Sequence, residues 1–220
     1  MRILITFIVS VFFLHGTSAQ DLKLGVRGGL QMSNQRIEAE IFDILNYDFD
    51  TQALIGWQLG VEAEIPLNQD LSVQAALLLT RQGFYFEDRN ALLDIEIRSK
   101  PLYLTLPLPL VYRTQAAGIQ VFAGLGPYLS LGVGGSTDSE GDLAGLDFAE
   151  DGAIKWGNDR ANDNYRALDW GSVLTTGVKR ENLQFALSYY IGLANIYPEP
   201  DKDHIIRNRM LSLSTTYFLK

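Results

Sequence analysis

Along most of this chain, apolar residues alternate with small or polar ones at a period of two, the spacing of a strand with two unlike faces. Ala53, Ile55, Trp57, Leu59, Val61, Ala63 and Ile65 fall on one face, against Leu54, Gly56, Gln58, Gly60, Glu62 and Glu64 on the other. The segment from Leu71 repeats the pattern, with Val73, Leu77 and Leu79 opposed to Ser72, Gln74 and Thr80. Leu102 to Arg113, Ile119 to Leu131 and Leu183 to Leu193 do the same, and weaker versions run over Lys23–Ser33, Leu168–Arg180 and Arg207–Leu219. No helical period competes. Eight such segments predict an all-β fold with eight antiparallel strands.

The connections carry a second signal. Short turns at Pro66–Asp70, Gln115–Gly118 and Arg180–Asn182 alternate with long polar segments at Asn34–Gln52, Glu87–Ile97, Gly134–Ala167 and Asn195–Ile206. That alternation predicts an up-and-down barrel with all its long loops at one end, the asymmetry of an outer-membrane barrel. The loop over 36–50 has Ile37, Ile41, Ile44 and Leu45 at helical spacing but Ile37, Ala39 and Ile41 at strand spacing, so a helix and a hairpin extension both stay open.

A soluble barrel of the lipocalin type, which would bind a ligand, shows the same alternation turned inside out; the composition of the faces distinguishes them. The polar face is rich in glycine, including Gly25, Gly29, Gly56, Gly60, Gly124, Gly126, Gly171, Gly177 and Gly192, rather than in the Lys, Glu and Thr that a water-facing sheet would carry. Small side chains suit the cramped axis of an eight-stranded barrel. The other face is leucine and aromatic with almost no charge, and strands of about 9–11 residues cross a bilayer. A transmembrane β-barrel is therefore the expected fold, with outer-membrane lipid around it. Tyr85, Trp170 and Tyr197 are candidate interface aromatics near the loop end, and Tyr112, Phe185 and Tyr217 near the turn end. Inward charges are expected to pair, because a buried charge needs a partner. Lys23, Arg27, Glu62, Glu64, Arg113, Asp169 and Lys179 form the expected interior polar network, centred on Arg27 and Glu62.

The first nineteen residues read differently. Met1 and Arg2 precede an apolar run from Ile3 to Leu14, then Thr17 and Ala19 at small-residue cleavage positions, the pattern of a signal peptide over 1–19. The barrel domain then spans 20–220, with both termini expected in the periplasm. The mature chain has a formal charge of -9, which argues against a nucleic-acid partner. Absence of cysteine removes disulfides, thiol nucleophiles and thiolate metal sites.

Chemistry is sparse. One histidine remains in the mature chain, His204, beside Asp201 and Asp203; a histidine-dependent lipid-modifying enzyme is the reading it would support, and a surface loop is the simpler one. Asp138, Glu140 and Asp142 resemble the opening of a calcium loop, but Leu143 stands where its turn glycine belongs and Ala149 where its bidentate glutamate belongs. No catalytic, cofactor or metal residue is assigned.

Gly25-Val-Arg-Gly-Gly-Leu30, Leu104-Thr-Leu-Pro-Leu-Pro-Leu-Val-Tyr112, Phe122-Ala-Gly-Leu-Gly-Pro-Tyr128 and the closing strands over Trp170–Asn195 and Leu211–Leu219 resemble the PorT-like outer-membrane β-barrel family. The resemblance covers nearly all of the mature chain, and the architecture is similar to small OmpX and OmpA barrels. It implies a non-enzymatic, monomeric barrel with a structural or interaction role, possible partners being envelope or secretion-system proteins; the namesake belongs to a protein-export apparatus. The family brings no catalytic motif.

Overall fold

The computed structural model describes residues 22–41, 45–90, 93–143, 146–199 and 204–219, so the expected signal peptide lies outside the described residues. Twelve strands run in chain order: β1 Lys23–Ile41, β2 Leu45–Asp50, β3 Gln52–Pro66, β4 Leu71–Arg81, β5 Phe84–Asn90, β6 Leu93–Pro107, β7 Leu110–Ala116, β8 Ile119–Leu143, β9 Leu146–Ala153, β10 Leu168–Arg180, β11 Leu183–Gly192 and β12 His204–Phe218. Every strand pairing is antiparallel, and β1 pairs with β12 from Gly25↔Phe218 to Ala39↔His204, which closes the sheet on itself.

The expected all-β antiparallel barrel holds, but among the described residues its strands number twelve rather than eight. Traced by pairing, the twelve segments follow eight paths around the barrel, four of them broken. β2 and β3 both run along β1. Between them the Thr51 hydroxyl takes the place of the ladder, accepting from the Gln35 N–H at 2.9 Å and donating to its carbonyl at 2.8 Å. β4 and β5 part at Gln82–Gly83, where the Ser33 hydroxyl bonds both backbone groups of Gly83. β6 and β7 part at Leu108–Pro109, where proline has no N–H to give. β9 and β10 both run along β8 and are separated by residues 154–167.

Three of the segments expected to be loops are also largely strand. β1 with β2, β5 with β6, and β8 with β9 continue as paired hairpins to Ile41↔Leu45, Asn90↔Leu93 and Leu143↔Leu146. Residues 36–41 and 45–50 thus extend a hairpin rather than form a helix. In these extensions Ile37, Ala39 and Ile41 of β1 and Leu93, Ile95 and Ile97 of β6 keep the strand spacing, but with acidic residues between them, so the sequence reads as polar loop where the ladder continues.

The faces divide sharply. Leu59, Leu125, Leu174 and Leu213 are more than half exposed, whereas Gln58, Glu62, Thr105, Ser188 and Ser212 are buried. The apolar face is outside and the polar face lines the axis, the reverse of a soluble barrel. Trp170, Tyr112, Phe185 and Tyr217 point outward. Tyr85 and Tyr197 are half-buried, engaged with Glu87 and His204.

Candidate functional site

Because alternate residues of every strand meet at the axis, the interior is a stack of polar side chains, and its tiers can be followed from the turn end to the hairpin end. At the turn end Glu64 of β3 is fully buried and accepts hydrogen bonds from Arg113 Nη1 and Lys179 Nζ, each at 2.8 Å. Lys23 stands off at 3.9 Å, half exposed. Lys179 also lies 3.7 Å from the centre of the Phe218 ring, and Arg113 reaches Ser72. One tier up, Arg27 and Glu62 pair at a longer 3.4 Å; Glu62 also accepts from Thr216 and Gln184.

The hub is therefore Glu64, not the Arg27–Glu62 pair that the spacing singles out. β7 and β10 bring Arg113 and Lys179 across the barrel to β3, and no local pattern announces that meeting. Gln74, Val111, Gln120, Phe122 and Gln184 fill the remaining space around this cluster, leaving no room for a water molecule.

Asp169 belongs elsewhere. It starts β10, ten residues before Lys179, about 33 Å along an extended strand. There Asp169 Oδ2 accepts from the Tyr128 hydroxyl at 3.2 Å and from Asn208 Nδ2 at 3.0 Å. Tyr128 fits because Gly171 and Gly192 are bare: a methyl group on either would press against its ring or hydroxyl as well as against neighbouring backbone. Between the two charged tiers, Gln31, Gln58, Ser212, Thr175 and Ser188 are buried, with Gln58 bonded to Ser212 and Thr175 to Ser188.

The hairpin-end mouth is shut by an apolar cap. Residues 154–167 fold inward and place Ile154 and Tyr165 in a cluster with Phe84, Ala194 and Ile196; Trp156 packs against it. The Tyr165 hydroxyl donates to Ser99 Oγ at 3.0 Å, and burial pushes its pKa up to about 12. At the outer turn of the cap, Asp159 accepts from the Asn162 side chain and the Ala161 N–H, which hold its carboxyl below the usual range. Sequence reasoning missed this cap because 154–167 has no periodicity. Three bulky apolar residues in a polar stretch were the available signal.

Two further candidates are placed. His204 stacks on Tyr197 with ring centroids 5.1 Å apart, while Asp201 and Asp203 lie outside the described residues. Asp138 sits in the β8–β9 hairpin and accepts from Lys100 Nζ at 2.7 Å.

The profile of the outer membrane protein β-barrel domain family matches residues 18–197. Among solved structures, the chain is similar to Ail, the attachment invasion locus protein of Yersinia pestis, at 13% identity and a TM-score of 0.39, covering 91% of this chain and 100% of that one. Neisserial surface protein A is similar at 15% identity and a TM-score of 0.37, over 87% of this chain and 96% of that one. The outer membrane protease OmpT of Escherichia coli is similar at 8% identity and a TM-score of 0.44, over 93% and 99%. No curated protein sequence matches the chain.

Proposed function

The chain belongs to the outer membrane protein β-barrel domain family, and on that footing we propose that it is a closed, non-conducting barrel with an interaction role, whose working surface is the crown of hairpins. The observation that carries this reading is the filled axis. Glu64 with its cations, the Asp169 tier and the Trp156 cap occupy it from end to end, and an eight-path barrel has no spare bore. The crown, by contrast, is built to be met. β2 pairs only with β1 and β9 only with β8 among the described residues, so each offers an open backbone edge to a partner strand.

β1 begins and β12 ends at the short-turn end, which faces the periplasm in this reading, and the crown faces outward. The apolar belt sits in outer-membrane lipid and the barrel works as a monomer. The resemblance of its strands to PorT-like barrels supports a narrower role, as one component of a protein-secretion or envelope assembly. No residue of the interior is assigned to catalysis.

The test uses the full mature protein. Reconstituted in a planar bilayer it stays silent; stepwise conductance would refute the closed barrel. Extraction from its native envelope in mild detergent recovers secretion components with it. A variant with residues 136–153 replaced by a short turn still folds but loses them. Retention of the same partners by that variant would refute the crown as the working surface.

A further inference from the structure

We propose that Asp169 holds a monovalent cation inside the barrel, against its buried Oδ1. The starting observation is an imbalance. Of the buried carboxylates on the axis, Glu62 faces Arg27 and Glu64 faces Arg113 and Lys179, but among the described residues no basic side chain acts on Asp169. It is nevertheless fully buried. A carboxylate taken out of water without a counter-charge is among the costliest arrangements a protein can hold.

Tyr128 and Asn208 both donate to Oδ2, which leaves Oδ1 as the atom that a proton or a cation would satisfy. The Trp170 N–H also faces this carboxylate, yet Oδ1 has no hydrogen bond of its own. A second unsatisfied oxygen lies along the same chain of contacts: Gln35 donates through Nε2 to Asn208 Oδ1 at 3.0 Å, and its own Oε1 is buried without a donor. Tyr103 presents its hydroxyl to Asn208 at 3.4 Å. Ser130, opposite Asp169 in the β8–β10 register, ends a row of hydroxyls through Thr105 to Thr80 with 2.9 Å between neighbours.

The donor set selects the ion. Every named ligand atom is a hard oxygen, which excludes the metals that seek thiolate or imidazole. A single carboxylate balances a single positive charge, whereas calcium sites gather several carboxylates. An alkali cation satisfies Oδ1 and neutralises Asp169.

The test compares thermal unfolding of the detergent-folded full protein in sodium, potassium, rubidium and N-methylglucamine chlorides at equal ionic strength. An alkali cation raises the unfolding temperature saturably over N-methylglucamine. The Asp169→Asn variant loses that response, whereas Glu64→Gln keeps it. Equal unfolding temperatures in all four salts would overturn the proposal, as would an undiminished response in Asp169→Asn. A response to calcium chloride, run as a fifth salt, with none to the alkali chlorides would overturn the monovalent assignment. Stabilisation by acid without a cation response would identify a protonated carboxyl instead. Should Asp169→Asn not fold, thallium-soaked crystals of the unaltered protein decide: an anomalous peak at Asp169 supports the site and its absence refutes it.

Discussion

Trp156 lies edge-on against Tyr103, ring centroids 5.1 Å apart with the planes at 72°, so a residue of the cap packs directly on one of the inner wall. Beneath the indole, Gly132 leaves the space its ring occupies; a methyl group there would overlap Trp156.

Replacing Gly132 with alanine therefore drives the indole out of its seat. The cap loosens by about 1–3 kcal/mol, the usual cost of overpacking, while the strand ladder persists. Limited trypsin digestion reads it: cleavage after Lys155 and Arg160, both exposed, accelerates while the barrel core stays resistant.

Glu64→Ala strands two cations in the interior and costs about 3–5 kcal/mol, as breaking buried ion pairs does. Arg27→Ala costs less, because it breaks one long contact rather than two short ones and Glu62 keeps its bonds from Thr216 and Gln184. Urea unfolding of the two variants, followed by tryptophan fluorescence, gives the order. Arg27→Ala as the more damaging change would return the hub to the Arg27–Glu62 pair.

Tyr165 makes the cap sensitive to alkali. Its phenol ionises near 10 in the unfolded chain but at about 12 when buried, so the folded cap holds its proton over that interval and the unfolded form does not. Stability is fully present below pH 10 and falls as the pH rises towards 12. Tyr165→Phe reduces this alkaline loss, and the difference in phenolate absorbance between the two proteins at increasing pH measures it.

Leu213 sits midway along the lipid-facing side of β12 and is 63% exposed. Leu213→Arg costs about 2–4 kcal/mol in a bilayer, the depth-dependent penalty of a charge on the outer face. Folding equilibria in phospholipid vesicles test it. A neutral result would mean that this face meets water.

Alternation made the barrel legible. Ser212 and Leu213 differ in face as their types suggest, and so do Gln58 and Leu59. The broken paths were less visible, since the hydroxyls of Thr51 and Ser33 replace ladder bonds through contacts far away in sequence. Inward charge could be read residue by residue from strand parity, but not its grouping. Glu64 gathers Arg113 and Lys179 only because the sheet closes, and Asp169 stands apart only because of its place along β10. Ile154, Trp156 and Tyr165 stand out as bulky apolar residues in a polar stretch, but an irregular segment has no period to show which way they turn.

The seam between β1 and β12 has a temporal consequence. β1 has β3 on one side but finds its other neighbour only in β12, and Leu219 donates to the Leu24 carbonyl at 2.6 Å. Contacts so distant in sequence form slowly, so the nascent chain travels with both margins of its sheet uncovered until its final residues arrive. A chain cut short before Leu183 can zip every earlier hairpin and still expose both margins, which makes such fragments candidates for chaperones and proteases rather than for insertion.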